Sequence, residues 1–250
     1  MWEKGCYNKN RMQCKSSRFA YFLRRNCVNS FQELVQSIDW GSLTDALLRV
    51  LGVFLCLTVH ETCHGLAAYA LGDPTAKREH RLSLNPLHHI DWFGLAAMLL
   101  VGFGWAKPVG VNPTYFKHPK RDMAITALAG PVSNLIVALI SLIICNIFRY
   151  LLTGAVFFYF AIFFFYIASI NVSLAVFNLI PIPPLDGSRL LSALLPDRQY
   201  YALMRYERYI FFALMALIWL GVLDKPLGYL SSGVMWLLNM LASLPFAAFI

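Results

Sequence analysis

The sequence predicts an all-α polytopic membrane protein with about five membrane-spanning helices and a short re-entrant segment. Three observations predict this class. Hydrophobic residues make up 58% of the 250-residue chain and charged residues only 14%, whereas about a quarter of a soluble domain is charged. The apolar residues form runs of about twenty, the length that a helix needs to cross the hydrocarbon core of a bilayer. These runs also lack the alternation that is typical of membrane β-barrel strands.

The net charge of +8 does not indicate a nucleic-acid partner. Most Lys and Arg residues lie in loops beside apolar runs, where basic residues orient membrane helices and contact anionic lipid headgroups. We therefore expect a lipid bilayer around the chain and no nucleic acid. The six cysteines contain no C-x-x-C pair, so we predict no disulfide framework.

Residues 1–41 are predicted to form a basic N-terminal tail and a short interfacial helix. Residues 1–28 are polar and basic, and we assign them no function. Ser30 and Glu33 form a capping box before apolar residues at helical spacing, which predicts a helix over 29–40 that lies flat on the membrane.

The first predicted span begins at a cap on Ser42 and ends before Gly72-Asp73-Pro74. The next apolar run, 92–104, is too short to cross and is followed by Gly and Pro residues, which predicts a re-entrant segment. Prolines at 181, 183 and 184 predict a break after residue 178. The remaining predicted spans cover residues 123–148, 155–178, 203–222 and 228–249.

Counting Lys and Arg predicts the orientation of this multi-pass chain in the cell membrane. If residues 92–105 dip and return, eleven basic residues lie inside and three outside, as the positive-inside rule requires. The inside residues are Lys77, Arg78, Arg81, Lys107, Lys117, Lys120, Arg121, Arg189, Arg198, Arg205 and Arg208, and the outside residues are Arg49, Arg149 and Lys225. The seven basic residues of the N-terminal tail would lie outside in this orientation, which is contrary to the rule.

The motif H-E-x-x-H occurs inside the first apolar run, at His60-Glu61-Thr62-Cys63-His64. Residues four apart share a face of a helix, so both imidazoles can bind one metal ion. Glu61 is turned by about 100° from His60, which leaves it free to act on a water. Coincidence on an ordinary helix is the alternative, and the apolar flanks make it the weaker one. Cys63 is interpreted as a small buried residue.

Few ionisable groups lie deep in apolar segments, and Asp186 is one of them, with His60, Glu61 and His64. Charged groups are costly inside a bilayer, so such residues are candidates for function. Asp-Gly is also a common turn dipeptide. Beside the apolar run and the prolines we interpret Asp186 as a ligand, because two imidazoles and one carboxylate fill three positions of a tetrahedral Zn²⁺ site. The other histidines, at 80, 88, 89 and 118, lie in polar loops and are given no function.

These residues resemble the site-2 protease family of intramembrane zinc metalloproteases, in its compact form without a PDZ or CBS domain. The resemblance rests on His60-Glu-Thr-Cys-His64 and on Asn178-Leu-Ile-Pro-Ile-Pro-Pro-Leu-Asp186-Gly187, and it covers residues 43–195. Similar segments are Arg81-Leu-Ser-Leu-Asn-Pro86, Gly104-Trp-Ala-Lys-Pro108 and Ala129-Gly-Pro-Val-Ser-Asn134.

The resemblance implies that His60, His64 and Asp186 bind Zn²⁺ and that Glu61 is the general acid and base. It also suggests that Asn178 positions substrate or stabilises the oxyanion, although Asn178 could equally hold two helices together. Residues 42–195 would then form the intramembrane metalloprotease core, and residues 196–250 a C-terminal pair of transmembrane helices.

We therefore expect a zinc metalloendopeptidase that hydrolyses a peptide bond within or near a transmembrane segment of a membrane-bound protein or peptide. Neither the substrate nor the oligomeric state is predicted. One alternative is a membrane protease whose active site lies outside the lipid with Glu207 as the third ligand. Another is a non-enzymatic membrane scaffold, which would not need Glu61 as a base.

Overall fold

The computed structural model describes residues 43–101, 106–150 and 154–249. All regular elements in these ranges are helical, which confirms the predicted fold class. The predicted tail, the interfacial helix over 29–40 and the cap on Ser42 lie outside the described residues. The α-helices are α1 (Leu43–Ala70), α2 (Thr75–Arg78), α3 (Trp92–Val101), α4 (Pro119–Tyr150), α5 (Ala155–Asn178), α6 (Asp186–Leu194), α7 (Asp197–Arg205), α8 (Glu207–Trp219) and α9 (Asp224–Ser243).

Four stretches of the described helices are long and apolar enough to cross a membrane. They belong to α1, α4, α5 and α9 with the turn after it, and they cover Val50–Ala70, Pro119–Tyr150, Val156–Asn178 and Asp224–Phe246. Each corresponds to a span that the sequence predicts. Their composition and length fit a chain that crosses a bilayer several times.

The remaining predicted span, 203–222, is divided between α7 and α8 at Tyr206. Helix α8 has 13 residues, so it rises about 20 Å at 1.5 Å per residue, which is less than the hydrocarbon thickness of about 30 Å. The charged residues Arg205, Glu207 and Arg208 flank the division. Because charged side chains are costly in hydrocarbon, the apolar part of this segment begins only after them.

Helix α4 is the centre of the fold, since it packs against α1, α5, α6 and α9. One buried apolar cluster joins three of these helices, with Ala138 and Leu142 from α4, Ala168, Val172 and Val176 from α5, and Met235 and Ala242 from α9. The outer side of α4 exposes a stripe of large apolar residues at helical spacing: Ile125, Leu128, Val132, Ile136 and Ile140. In water such a stripe would be an unusually large apolar patch, whereas lipid solvates it well.

Helix α3 lies in the segment that is predicted to be re-entrant. It has ten residues, too few to cross a bilayer. The N–H of Lys107 donates to the carbonyl of His89 at 2.8 Å, so the chain returns near the point where it left. Residues 106–112 form no helix and lie beside α1, where Val109 contacts Glu61 and Val111 packs near Ala68. The re-entrant character of this segment stays a prediction.

Asp73 anchors the returning chain to the end of α1. The helix ends at Ala70, and Gly72 in the turn after it has a φ of 105°, which favours glycine. The buried carboxylate of Asp73 accepts hydrogen bonds from the N–H of Thr75 at 2.9 Å and from the N–H of Asn112 at 2.7 Å. One side chain thus joins the loop after α1 to residues 106–112.

We expect Asp73→Ala to destabilise the protein by about 2–3 kcal/mol, because it leaves two part-buried N–H groups, those of Thr75 and Asn112, without an acceptor. Thermal or chemical unfolding in detergent micelles measures the effect. Asp91→Ala is a matched control, since Asp91 accepts from the N–H groups of Phe93 and Gly94 at the start of α3, where the bond to Phe93 is exposed. The control should lose about 1 kcal/mol; equal losses would contradict a special role for Asp73.

Candidate metal centre

Helix α1 places His60 and His64 side by side, as their spacing predicts. Both side chains are buried. Their Nε2 atoms are 3.0 Å apart and the two rings are almost perpendicular, at 89°. The two imidazoles therefore direct one nitrogen each at the same point beside α1.

Asp186, the first residue of α6, completes this group from a distant part of the chain. Its Oδ2 atom lies 3.0 Å from Nε2 of His60 and 3.1 Å from Nε2 of His64. The three atoms form a nearly equilateral triangle. Among the described residues, this is the group of His, Cys, Asp or Glu side chains that can hold a metal ion. Glu207, the third ligand of the alternative site, is exposed beside the division between α7 and α8 and does not belong to the group.

The donor set fits a cation. Nδ1 of His64 lies 2.7 Å from the carbonyl oxygen of Thr126, and because a carbonyl only accepts, Nδ1 carries the proton and Nε2 of the neutral ring has a lone pair. That lone pair faces the carboxylate oxygen of Asp186, which is also an acceptor. A cation among the three atoms satisfies all of them. Tetrahedral Zn²⁺ places its N and O ligands about 3.3 Å apart, close to the separations here.

Two glycines permit this close arrangement. A Cβ atom on Gly130 of α4 would lie 2.4 Å from Nε2 of His64 and 2.6 Å from Cε1 of His60. A Cβ atom on Gly187 would lie 2.4 Å from the carbonyl oxygens of Leu179 and Ile180. Gly130 therefore lets α4 approach the imidazoles, and Gly187 lets α6 pack on the end of α5, which brings Asp186 to the site.

The segment between α5 and α6 is not helical, as its prolines predict. Ser188 donates its hydroxyl to the carbonyl of Leu185, which adds a local bond at the start of α6. A carboxylate must be ionised to bind a metal, and a cation beside Nε2 of His60 and His64 would favour the ionised form of Asp186.

Glu61 lies next to the triangle but points along a different direction. Its half-buried carboxylate accepts a hydrogen bond through Oε2 from the N–H of Val109, at 2.9 Å. The residue is therefore held by the chain that returns from α3. The sequence contains no signal for this contact, because the donor is a backbone group 48 residues away.

Asn178 is the last residue of α5 and is half-buried. Its Nδ2 group donates to the carbonyl of Leu174 at 3.0 Å, within its own helix. A role of Asn178 toward substrate stays a prediction. Cys63 is half-buried between the two histidines.

Among the loop histidines 80, 88, 89 and 118, His89 is the buried one. It is fully buried, and its Nε2–H donates to the carbonyl of Ser83 at 2.9 Å. The hydroxyl of Thr62 on α1 donates to the same carbonyl at 3.0 Å. His89 therefore fastens its loop to α1, which is a structural role. His80, His88 and His118 are exposed.

Residues 48–221 match the family model described as peptidase family M50. A protein of Bacillus subtilis (strain 168) named "Putative zinc metalloprotease YwhC" is 37% identical over 190 residues, which cover 75% of this chain and 83% of that protein. Rip2 of Mycolicibacterium smegmatis, which has the same description, is 28% identical over 184 residues, covering 72% of this chain and 69% of that protein. No solved structure matches the chain significantly.

We expect His64→Ala and Asp186→Ala each to weaken zinc binding by more than about 100-fold. Losing a ligand costs more affinity than losing the hydrogen-bond partner of a ligand, which already costs about 10- to 100-fold. Zinc content of the purified protein, measured by mass spectrometry after dialysis against buffered Zn²⁺, tests this. His118→Ala changes an exposed histidine and should keep its zinc. A full complement of zinc in Asp186→Ala would exclude the proposed ligand set.

We expect Gly130→Ala to lower zinc content and abolish proteolysis, because its methyl group overlaps the positions of both imidazoles. Gly228→Ala is the matched control, since a Cβ atom there meets nothing within 4 Å and alanine favours a helix. Zinc content and thermal unfolding are measured for both variants. A Gly130→Ala protein with normal zinc content would show that α4 does not constrain the site.

Proposed function

Because the chain belongs to peptidase family M50 and is a zinc metalloprotease, we propose that it hydrolyses a peptide bond within or near a transmembrane segment of a membrane-bound protein or peptide. We further propose that it is a multi-pass protein of the cell membrane. Its metal is held by His60, His64 and Asp186.

The observation that carries this proposal is the position of the triangle along α1. The sequence around His60 is apolar between Arg49 and Asp73, and His60 lies ten residues from Val50 and ten from Ala70. At 1.5 Å per residue this is about 15 Å from each end, near the middle of a bilayer core of about 30 Å. His64 lies one turn nearer to Ala70, on the side of the basic residues Lys77 and Arg78. Those residues favour the cytosolic side, so we infer a site in the cytosolic half of the membrane.

The chemistry that we propose uses Glu61 as the proton carrier. Zinc, when bound, supplies a Lewis acid that polarises the scissile carbonyl and acidifies a water. The N–H of Val109 holds Oε2 of Glu61, and we assign Oε1 to the attacking water. Glu61 takes the proton of this water and delivers it to the leaving amine, as a general base and then a general acid.

The substrate must bring an extended peptide to this group, since a helix engages its own carbonyls in hydrogen bonds. Residues 106–112 run beside Glu61 without helical structure, and we infer that they help to present the unwound substrate. We assign Asn178 either to presenting the substrate or to stabilising the oxyanion.

We expect Glu61→Gln to reduce cleavage by about 10²–10⁴-fold, because the amide cannot accept the proton of water, while zinc content stays unchanged. Comparing membrane proteomes of cells that express wild-type protein or Glu61→Gln identifies fragments that accumulate only in the variant. Glu207→Gln, which changes an exposed glutamate, should behave as wild type.

The cleavage position is then mapped with the purified protease and an accumulated fragment in lipid vesicles. A cut within or beside the transmembrane segment is expected. A cut confined to a soluble domain, or full activity of Glu61→Gln, would overturn the proposed function.

A further inference from the structure

A buried asparagine on α4 faces the back of one imidazole. The side chain of Asn134 is fully buried, and its Nδ2 atom lies 3.2 Å from Nδ1 of His60. Its Oδ1 atom has no hydrogen-bond donor among the described residues. An acceptor buried without a donor is costly, so this amide needs an explanation.

His64 supplies the reference for a ring that binds a metal through Nε2. Its Nδ1–H donates to the carbonyl of Thr126, 2.7 Å away. This bond fixes the proton on Nδ1 and leaves the lone pair of Nε2 for the metal. His60 directs Nε2 at the same point, toward Oδ2 of Asp186, so His60 also needs its proton on Nδ1.

A proton on Nδ1 of His60 requires an acceptor at the position where Nδ2 of Asn134 lies, because an amide N–H₂ group and a ring N–H would both be donors. Turning the amide by 180° exchanges Nδ2 and Oδ1 without changing the shape of the side chain. The turned amide presents Oδ1 to Nδ1–H of His60.

We propose that Asn134 is a positioning residue, whose Oδ1 atom accepts the Nδ1–H of His60 and thereby holds this ring in the tautomer that binds the metal. The inference rests on the metal site of the proposed function. Asn134 does for His60 what the backbone carbonyl of Thr126 does for His64. Both acceptors belong to α4, so one helix orients both imidazoles of α1.

The test measures Zn²⁺ affinity of the purified full-length chain in detergent, by competition with a chromophoric chelator. Asn134→Leu removes the acceptor and keeps a side chain of similar volume. It should weaken Zn²⁺ binding about 10–100-fold, the usual effect of removing the hydrogen-bond partner of a metal-binding histidine. Asn134→Asp restores an acceptor oxygen and should recover affinity to within about tenfold of wild type. Should Asn134→Leu fail to fold, Asn134→Ala carries the same expectation.

Asn146→Leu is the matched control, because Asn146 is another buried asparagine of α4, whose Nδ2 group donates to the carbonyl of Ala242 on α9. It should keep wild-type affinity. An equal loss in Asn146→Leu, or no recovery in Asn134→Asp, would show that Asn134 acts through packing and would overturn the inference.

His60→Ala separates the inference from the proposed function. If His60→Ala loses Zn²⁺ while Asn134→Leu and Asn134→Ala bind it normally, the inference fails and the metal site stands. If His60→Ala binds Zn²⁺ normally, the metal site of the proposed function fails.

Discussion

Two imidazole nitrogens and one carboxylate oxygen lie about 3 Å apart inside a helical membrane protein, and this constraint organises the rest of the structure. Nε2 of His64 and Oδ2 of Asp186 are both acceptors, so they repel each other unless a cation lies among these three atoms. Holding them together therefore requires rigid support from elements that are otherwise unrelated. Helix α1 contributes both imidazoles, α6 contributes the carboxylate, and α4 supplies the carbonyl of Thr126 behind one ring.

The support depends on close approach of backbones rather than on large side chains. Gly130 and Gly187 lie where any Cβ atom would meet an imidazole or a carbonyl oxygen. Helices that pack in lipid gain no hydrophobic driving force from doing so, and small residues at the contact let dispersion and hydrogen bonds act at short range. In this chain the same small residues also set the positions of His60, His64 and Asp186.

Helical periodicity explains which parts of this site the sequence predicts. The spacing of His60 and His64 fixes their common face, and the prolines before Asp186 fix a break in the chain. The partnership of Asp186 with the histidines was predicted from the scarcity of ionisable residues in apolar sequence and from the family resemblance, since no local period relates residues 122 and 126 positions apart. The division of the segment 203–222 was missed because its apolar composition resembles a continuous span, whereas the charges around Tyr206 interrupt it.

The hydrogen bond from Val109 to Glu61 was beyond prediction for a different reason, since every residue except proline has the same backbone donor. The same fact has a consequence for genetics. Alanine at Glu61 would remove the acceptor of this bond together with the rest of the carboxylate. Alanine at Val109 would leave the bond intact, because a new side chain there keeps the amide. Only proline at position 109 deletes the donor, so the part that Val109 plays in holding Glu61 is silent in an alanine scan.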